Sequence, residues 1–218
     1  MTDEHTTVPV ISRSRLEFLV DGVFAIALTI LVLELKVPEL PRGSSPAEIW
    51  RALGDHGLSF FGFGLTFLLA GQTWILHHRL FQHLRSVSRS LAVLTIPFLL
   101  FVSLLPFSTL MLTAFGPRNP VSLIFYLGNQ FALSVLLAAH WFVARRSALL
   151  APATDGLERR QFERMLFMQP IAFLVSLAVV PISPRHAMLS AAMSIAVLNG
   201  IGRRVDKAKG ARAAVPSV

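Results

Sequence analysis

Long uncharged apolar runs, separated by short charged segments, dominate the pattern along this chain. Five runs contain no Asp, Glu, Lys or Arg: Gly57–Leu76, Ser90–Gly116, Asn119–Ala144, Met165–Pro184 and His186–Gly202. A helix needs roughly 20 apolar residues, with a range of about 17–25, to cross a bilayer core. The pattern therefore predicts five transmembrane helices.

A further helix is predicted over Leu16–Val37, although this segment carries charge. Glu17, Asp21, Glu34 and Lys36 lie towards its two ends, and the centre is uncharged. Charge that faces lipid is costly, so we expect protein or water to shelter these ends. The chain is thus predicted to be an all-α polytopic membrane protein with six transmembrane helices per subunit.

Composition and the distribution of positive charge agree with this class. Charged residues make up 15% of the chain, against about 25% in soluble domains. If the N-terminus is inside, 15 of the 20 Lys and Arg residues fall in inner segments and five in outer ones. Cytoplasmic loops carry such an excess, so both termini are predicted to be cytoplasmic. Because the net charge of +8 sorts by loop, we expect a lipid bilayer and no nucleic acid as partner.

Three parts follow from this pattern: a cytoplasmic N-terminus at 1–14, a six-helix transmembrane domain at 15–205 and a basic cytoplasmic tail at 206–218. The outer segment Pro38–His56 is predicted to be a loop, because its Pro and Gly residues favour turns. Cys is absent, which excludes thiolate sites. No phosphate loop, metal-ligand cluster or nucleophile–base spacing is recognisable, so neither an enzyme nor a cofactor is expected.

The first helix contains the most specific motif. It reads Arg15-Leu-Glu-Phe-Leu-Val-Asp21-Gly22-Val-Phe-Ala-Ile26-Ala-Leu-Thr29 and continues to Leu33 and Pro38. Two further segments belong to the motif. Trp74-Ile-Leu-His77-His78-Arg79 lies at the end of the second helix, and Leu104-Leu-Pro-Phe107 lies within the third. Together they resemble the prokaryotic branch of the transmembrane protein 175 family, which are potassium channels.

That resemblance implies a homotetramer with one central pore lined by the first helix of each subunit. It places the constriction at Ile26, with Thr29 and Leu33 as the next layers, and potassium ions as the permeating species. The family pattern has Phe-Ser-Asp where this chain has Leu19-Val20-Asp21. A prokaryotic cell inner (plasma) membrane is the expected location.

Helical spacing supports the same face independently. Gly22, Ile26, Thr29 and Leu33 lie four, three and four residues apart, which places them on one stripe of a helix. An alternative is that Ile26 and Leu33 pack inside the subunit and that Thr29 bonds its own helix backbone.

Asp21 and its neighbours are a second candidate site. An ionisable residue within a span suggests a functional role, either anchoring the first helix through Trp74 or His77 or attracting cations to the pore. Arg15, on a different side of the helix from Asp21, is expected to contact lipid headgroups or another helix. In the family this Asp belongs to a network that holds helices together, which implies such a network of Arg15, Asp21, Trp74 and His77.

Two other functions remain open from the sequence. A proton-coupled secondary transporter would use Asp21 and His77, but would typically show inverted repeats, which we do not find. A non-conducting membrane scaffold is compatible with the Leu19-Val20 departure.

Overall fold

A computed structural model describes residues 12–151, 156–184, 186 and 187. These residues form an all-helical bundle whose elements we number in chain order: α1 (Arg13–Leu31), α2 (Pro46–Asp55), α3 (Gly57–Gln82), α4 (Arg89–Ser103), α5 (Leu105–Phe115), α6 (Pro120–Arg146) and α7 (Gly156–Val179). A 3-10 turn, Val32–Glu34, extends α1.

Five stretches of the described residues are long and apolar enough to cross a membrane. They are α1 with its 3-10 turn, α3, α4 together with α5, α6 and most of α7. Five of the six predicted spans are therefore present, and the chain is a multi-pass membrane protein. Most of the sixth, at 188–202, and the tail at 206–218 lie outside the described residues.

The third span is divided at Leu104, which separates α4 from α5. Pro106 occupies the first turn of α5, and proline has no N–H to donate to the preceding turn. Just before this break, the Ser103 hydroxyl donates to the Leu99 carbonyl of its own helix at 2.9 Å. Pro97 lies inside α4 without ending it.

The predicted outer loop at 38–56 is only partly a loop, because α2 occupies Pro46–Asp55. The Ser45 side chain accepts a hydrogen bond from the Glu48 backbone N–H at 3.3 Å. The Glu48 carboxylate in turn accepts from the Ser45 backbone N–H at 2.7 Å. This reciprocal capping box starts a helix, and Pro46 occupies the first turn, where its missing N–H costs nothing.

Aromatic rings join four helices in the core. Phe98 of α4 lies 6.0 Å from Phe24 of α1, 5.3 Å from His77 of α3 and 5.5 Å from His140 of α6, measured between ring centroids. His77 also stacks on Phe81 at 4.4 Å. The Phe98 ring is fully buried, so it fills the space where α1, α3 and α6 meet.

Buried hydroxyls and amides make the polar links between helices. The Thr109 hydroxyl of α5 lies 2.9 Å from Thr66 of α3, which bonds the Tyr126 hydroxyl of α6 at 3.1 Å. Asn129 of α6 donates to Ser108 of α5 at 3.3 Å. Such pairs are worth about 0.6 kcal/mol on average in membrane proteins, so they add specificity to a bundle held mainly by packing.

The loops that follow α3 and α6 are joined at one end of the bundle. The backbone N–H of Arg85 donates to the Leu149 carbonyl at 2.9 Å, and the backbone N–H of Ala151 donates to the His83 carbonyl at 2.8 Å. Nearby, Glu163 of α7 accepts from the Trp141 and Arg145 side chains of α6 at 3.1 and 3.3 Å. We call this the joined-loop end. The alternation of spans therefore places both loops on the same side of the membrane, as the charge pattern predicts.

Gly62 permits close contact between α3 and α5, and Gly62→Ala tests this. An added Cβ would lie 2.5 Å from the Thr113 methyl group, which cannot be accommodated without a shift. Overpacking of this kind costs about 1–3 kcal/mol, so we expect a lower melting temperature of the purified protein in detergent.

Gly64→Ala is the matched control, because no atom lies within 4 Å of its added Cβ. Alanine also favours the helix over glycine, so its melting temperature should be unchanged or higher. Equal melting temperatures for the two variants would contradict the close contact.

Candidate functional site

The first helix has two distinct faces. One face packs into the subunit through five buried side chains, at spacings of four, four, three and four residues: Leu16, Val20, Phe24, Ala27 and Leu31. These spacings form a single helical stripe. α1 is therefore held against α3, α4 and α5 by one side only.

The predicted pore residues lie on the other face. Ile26 is 60% exposed and Leu33 is 74% exposed, and Gly22 and Thr29 are exposed as well. Packing inside the subunit is therefore the wrong interpretation for Ile26 and Leu33. One copy of the chain leaves this whole stripe without a protein partner among the described residues.

Thr29 does bond its own helix. Its hydroxyl lies 2.8 Å from the Ile26 carbonyl and 3.0 Å from the Ala25 carbonyl. A hydroxyl has one proton and two lone pairs, so it donates to one of these carbonyls at a time. The oxygen lone pairs remain as acceptors on the exposed stripe.

A direct hydrogen bond joins Asp21 to the second span. The Trp74 indole Nε1–H of α3 donates to Asp21 Oδ1 at 2.8 Å. Trp74 itself stacks on His78 with ring centroids 5.9 Å apart. The charged residue within the first span thus has a partner from another helix.

His77, the other predicted partner of Asp21, makes no hydrogen bond with it among the described residues. Its ring is 1% exposed, it packs against Phe81 and Phe98, and its centroid is 6.1 Å from that of His140. No described atom forms a hydrogen bond with its Nε2. The structure joins Asp21 to Trp74, and no described hydrogen bond links His77 to either of them.

Arg15 is not joined to them either, and Arg13 makes the anchoring contacts instead. Arg15 is exposed, and within the described residues no partner is found for its guanidinium. Arg13 donates to the Leu84 carbonyl, just beyond α3, at 2.7 Å and pairs with Glu17 at 3.2 Å. The sequence signal that we missed is this Arg–Glu pair at i and i+4, a spacing that places both on one helix face.

Arg15 instead shares a stripe with the pore candidates. It precedes Gly22 by seven residues, which is close to two helical turns. The exposed stripe thus runs from a cation at the joined-loop end through Gly22, Ile26 and Thr29 to Leu33. Within the described residues, no cluster of three metal-ligating side chains occurs.

Comparison with known proteins identifies the fold's relatives. The profile of a family described as endosomal/lysosomal potassium channel TMEM175 matches residues 15–106. A protein of Streptomyces collinus named as a potassium channel is 30% identical over 186 residues, which cover 84% of this chain and 85% of that protein. The chain belongs to the TMEM175 family.

Two further relatives show how far the likeness extends. The crystal structure of a lysosomal potassium-selective channel TMEM175 homolog from Chamaesiphon minutus superposes with a TM-score of 0.71 at 27% identity, covering 88% of this chain and 97% of that one. The mouse endosomal/lysosomal proton channel TMEM175 is 28% identical over 189 residues, but the match spans only 38% of its length.

The departure from the TMEM175 pattern at Leu19-Val20 falls on two different surfaces. Val20 is fully buried in the core of the subunit, whereas Leu19 is 52% exposed. The bond between Asp21 and Trp74 forms with valine in place of the serine. Loss of the hydroxyl therefore leaves the Asp21 contact intact.

A double-mutant cycle tests the bond between Asp21 and Trp74. Trp74→Phe removes the donor and Asp21→Ala removes the acceptor, so the two losses of stability should overlap. Hydrogen bonds to charged groups are worth about 1.5–3 kcal/mol; since this one is partly exposed to solvent, we expect a coupling of about 1 kcal/mol, measured by thermal unfolding in detergent.

Trp50→Phe is the matched control, because Trp50 lies on α2 and has no described contact with Asp21. Its effect should add to that of Asp21→Ala. Simple additivity in both cycles would show that the Asp21 bond contributes nothing to anchoring α1.

Proposed function

We propose that this chain is a subunit of a potassium-permeable channel, in which four copies place their α1 helices around one central pore. The observation that carries this proposal is the bare stripe of α1. Its residues are exposed in one copy, although the opposite face of the same helix is fully packed. Four copies around an axis would turn Gly22, Ile26, Thr29 and Leu33 into successive rings.

The relatives support ion conduction. The Streptomyces collinus relative is named as a potassium channel, and the superposed Chamaesiphon minutus structure is of a potassium-selective channel. Such a protein passes ions without covalent chemistry, so no enzyme activity is proposed. The mouse relative is named as a proton channel, which makes proton flux a necessary comparison in the test below.

An apolar ring at Ile26 would act as the selective barrier. Apolar constrictions in channels restrict ions by dewetting, because an ion must shed water to pass. Potassium is larger and more weakly hydrated than sodium, so its loss of water is less costly. The Thr29 oxygens, one turn further along the same stripe, would replace part of that water.

Charge supports a definite orientation. We propose that the joined-loop end faces the cytoplasm of a prokaryotic cell and that the protein lies in the inner membrane, because that side carries the excess of Lys and Arg. Arg15 would then lie at the inner mouth of the pore, while Asp21 anchors α1 through Trp74.

Cation flux into liposomes tests conduction. Purified protein is reconstituted, and uptake is compared for potassium, sodium, proton and an impermeant organic cation gradient. We expect potassium uptake well above the sodium and proton signals. Single-channel currents would then separate a pore from an alternating carrier, since a pore passes far more ions per second. Flux of protons alone, or no flux from correctly assembled protein, would overturn the proposal.

Ile26→Asn tests the constriction. An amide offers ligands to both ions and admits water, so sodium permeability should rise relative to potassium. The shift in reversal potential under mixed potassium and sodium gradients measures this ratio.

Ile171→Asn is the matched control, because Ile171 of α7 is also 60% exposed but lies off the stripe. Its permeability ratio should equal that of the parent protein. An unchanged ratio in a well-assembled Ile26→Asn channel would remove Ile26 from the role.

A further inference from the structure

α2 is a well-formed helix that packs little against the subunit, since Ile49 and Trp50 are exposed and Leu53 is only half-buried. None of its ten residues is buried. Hydrogen bonds from the Ser45 N–H and hydroxyl hold the pKa of the Glu48 carboxyl below its usual value. The helix is therefore stabilised by its own cap, and packing against the bundle contributes little.

The two sides of α2 differ sharply in chemistry. Leu53 follows Ile49 by four residues and Trp50 by three, so the three apolar side chains share one side of the helix. The opposite side carries Glu48, Arg51 and Asp55. Trp50 is 73% exposed, so a large aromatic surface has no partner in one copy of the chain.

The position of α2 identifies what covers this surface. Only His56 separates it from α3, a membrane span that begins at Gly57. Phe60 and Phe61, each about half exposed, lie about 5 Å further along the axis of α3, at 1.5 Å per residue. α2 therefore ends where the lipid-facing surface of α3 begins.

We propose that α2 lies flat in the headgroup–acyl boundary of the leaflet opposite the joined-loop end, with Ile49, Trp50 and Leu53 directed into the acyl region. Trp is enriched at this boundary, because its ring is apolar and its N–H is polar. Helices with one apolar and one strongly charged face bind there in the membrane plane. The connection between the first two spans is thereby attached to the bilayer.

Taken as an interface by itself, this surface is too small for a second copy of the chain. A stable protein interface buries about 800 Å² on each partner. Three side chains, of which only one is aromatic, offer on the order of 400 Å². The lipid boundary needs no such minimum, because the spans on either side of α2 already hold it at the membrane.

Site-directed spin labelling tests the proposal, and the absence of cysteine in the chain makes every introduced label unique. Trp50→Cys, Leu53→Cys and Arg51→Cys are each labelled and reconstituted in liposomes. Collision rates are measured with oxygen, which concentrates in lipid, and with a water-soluble nickel complex. We expect the oxygen-to-nickel ratio to be several-fold higher at positions 50 and 53 than at 51.

Two other results would overturn it. Similar, nickel-dominated collisions at all three positions would place α2 in water. Low collision rates with both reagents at 50 and 53 would show that protein covers the surface, as in contact with a second copy. Ile49→Cys provides a second label on the same side if Trp50→Cys elutes abnormally in size-exclusion chromatography.

Discussion

Backbone N–H and C=O groups have no water to bond inside a bilayer, and this constraint shapes the whole chain. Each crossing segment satisfies its backbone internally as a helix, and hydroxyls such as that of Ser103 add bonds to carbonyls of their own helix. The helices are then joined by close packing at Gly62 and Phe98 and by a few buried hydroxyls. Some of the polar side chains within the apolar runs, such as Thr66, Thr109 and Asn129, form contacts between helices.

Packing and side-chain bonds together hold α1. The buried stripe of α1 sets its rotation, and two side-chain bonds add to it. Arg13 bonds the Leu84 carbonyl just beyond α3 and Asp21 bonds Trp74, and both contacts lie off the bare stripe. Together they orient Ile26 and Leu33 away from the subunit, which is the arrangement that a pore built from several copies requires.

The exposed stripe on α1 and the exposed apolar face of α2 are covered in different ways. The stripe on α1 belongs to a helix that crosses the membrane, and it includes a glycine and a threonine that suit a pore lining. The face of α2 is short, aromatic and backed by charges, which suits the lipid boundary. Exposure alone does not distinguish them; the polar residues nearby and the position relative to the spans do.

Sequence pattern alone determined that α1 spans the membrane and which of its residues share a stripe. Uncharged runs predicted the spans, because hydrocarbon tolerates little else, and the spacing of Gly22, Ile26, Thr29 and Leu33 predicted one stripe. Pattern could not decide which face of α1 the subunit covers, nor that Arg13 and not Arg15 reaches α3, because those outcomes depend on how antiparallel helices register. It also predicted a loop where Ser45 and Glu48 start α2, since the prolines that end one element also begin another. That Asp21 bonds Trp74 while the His77 ring stacks on Phe81 and Phe98 was likewise decided by the tertiary structure.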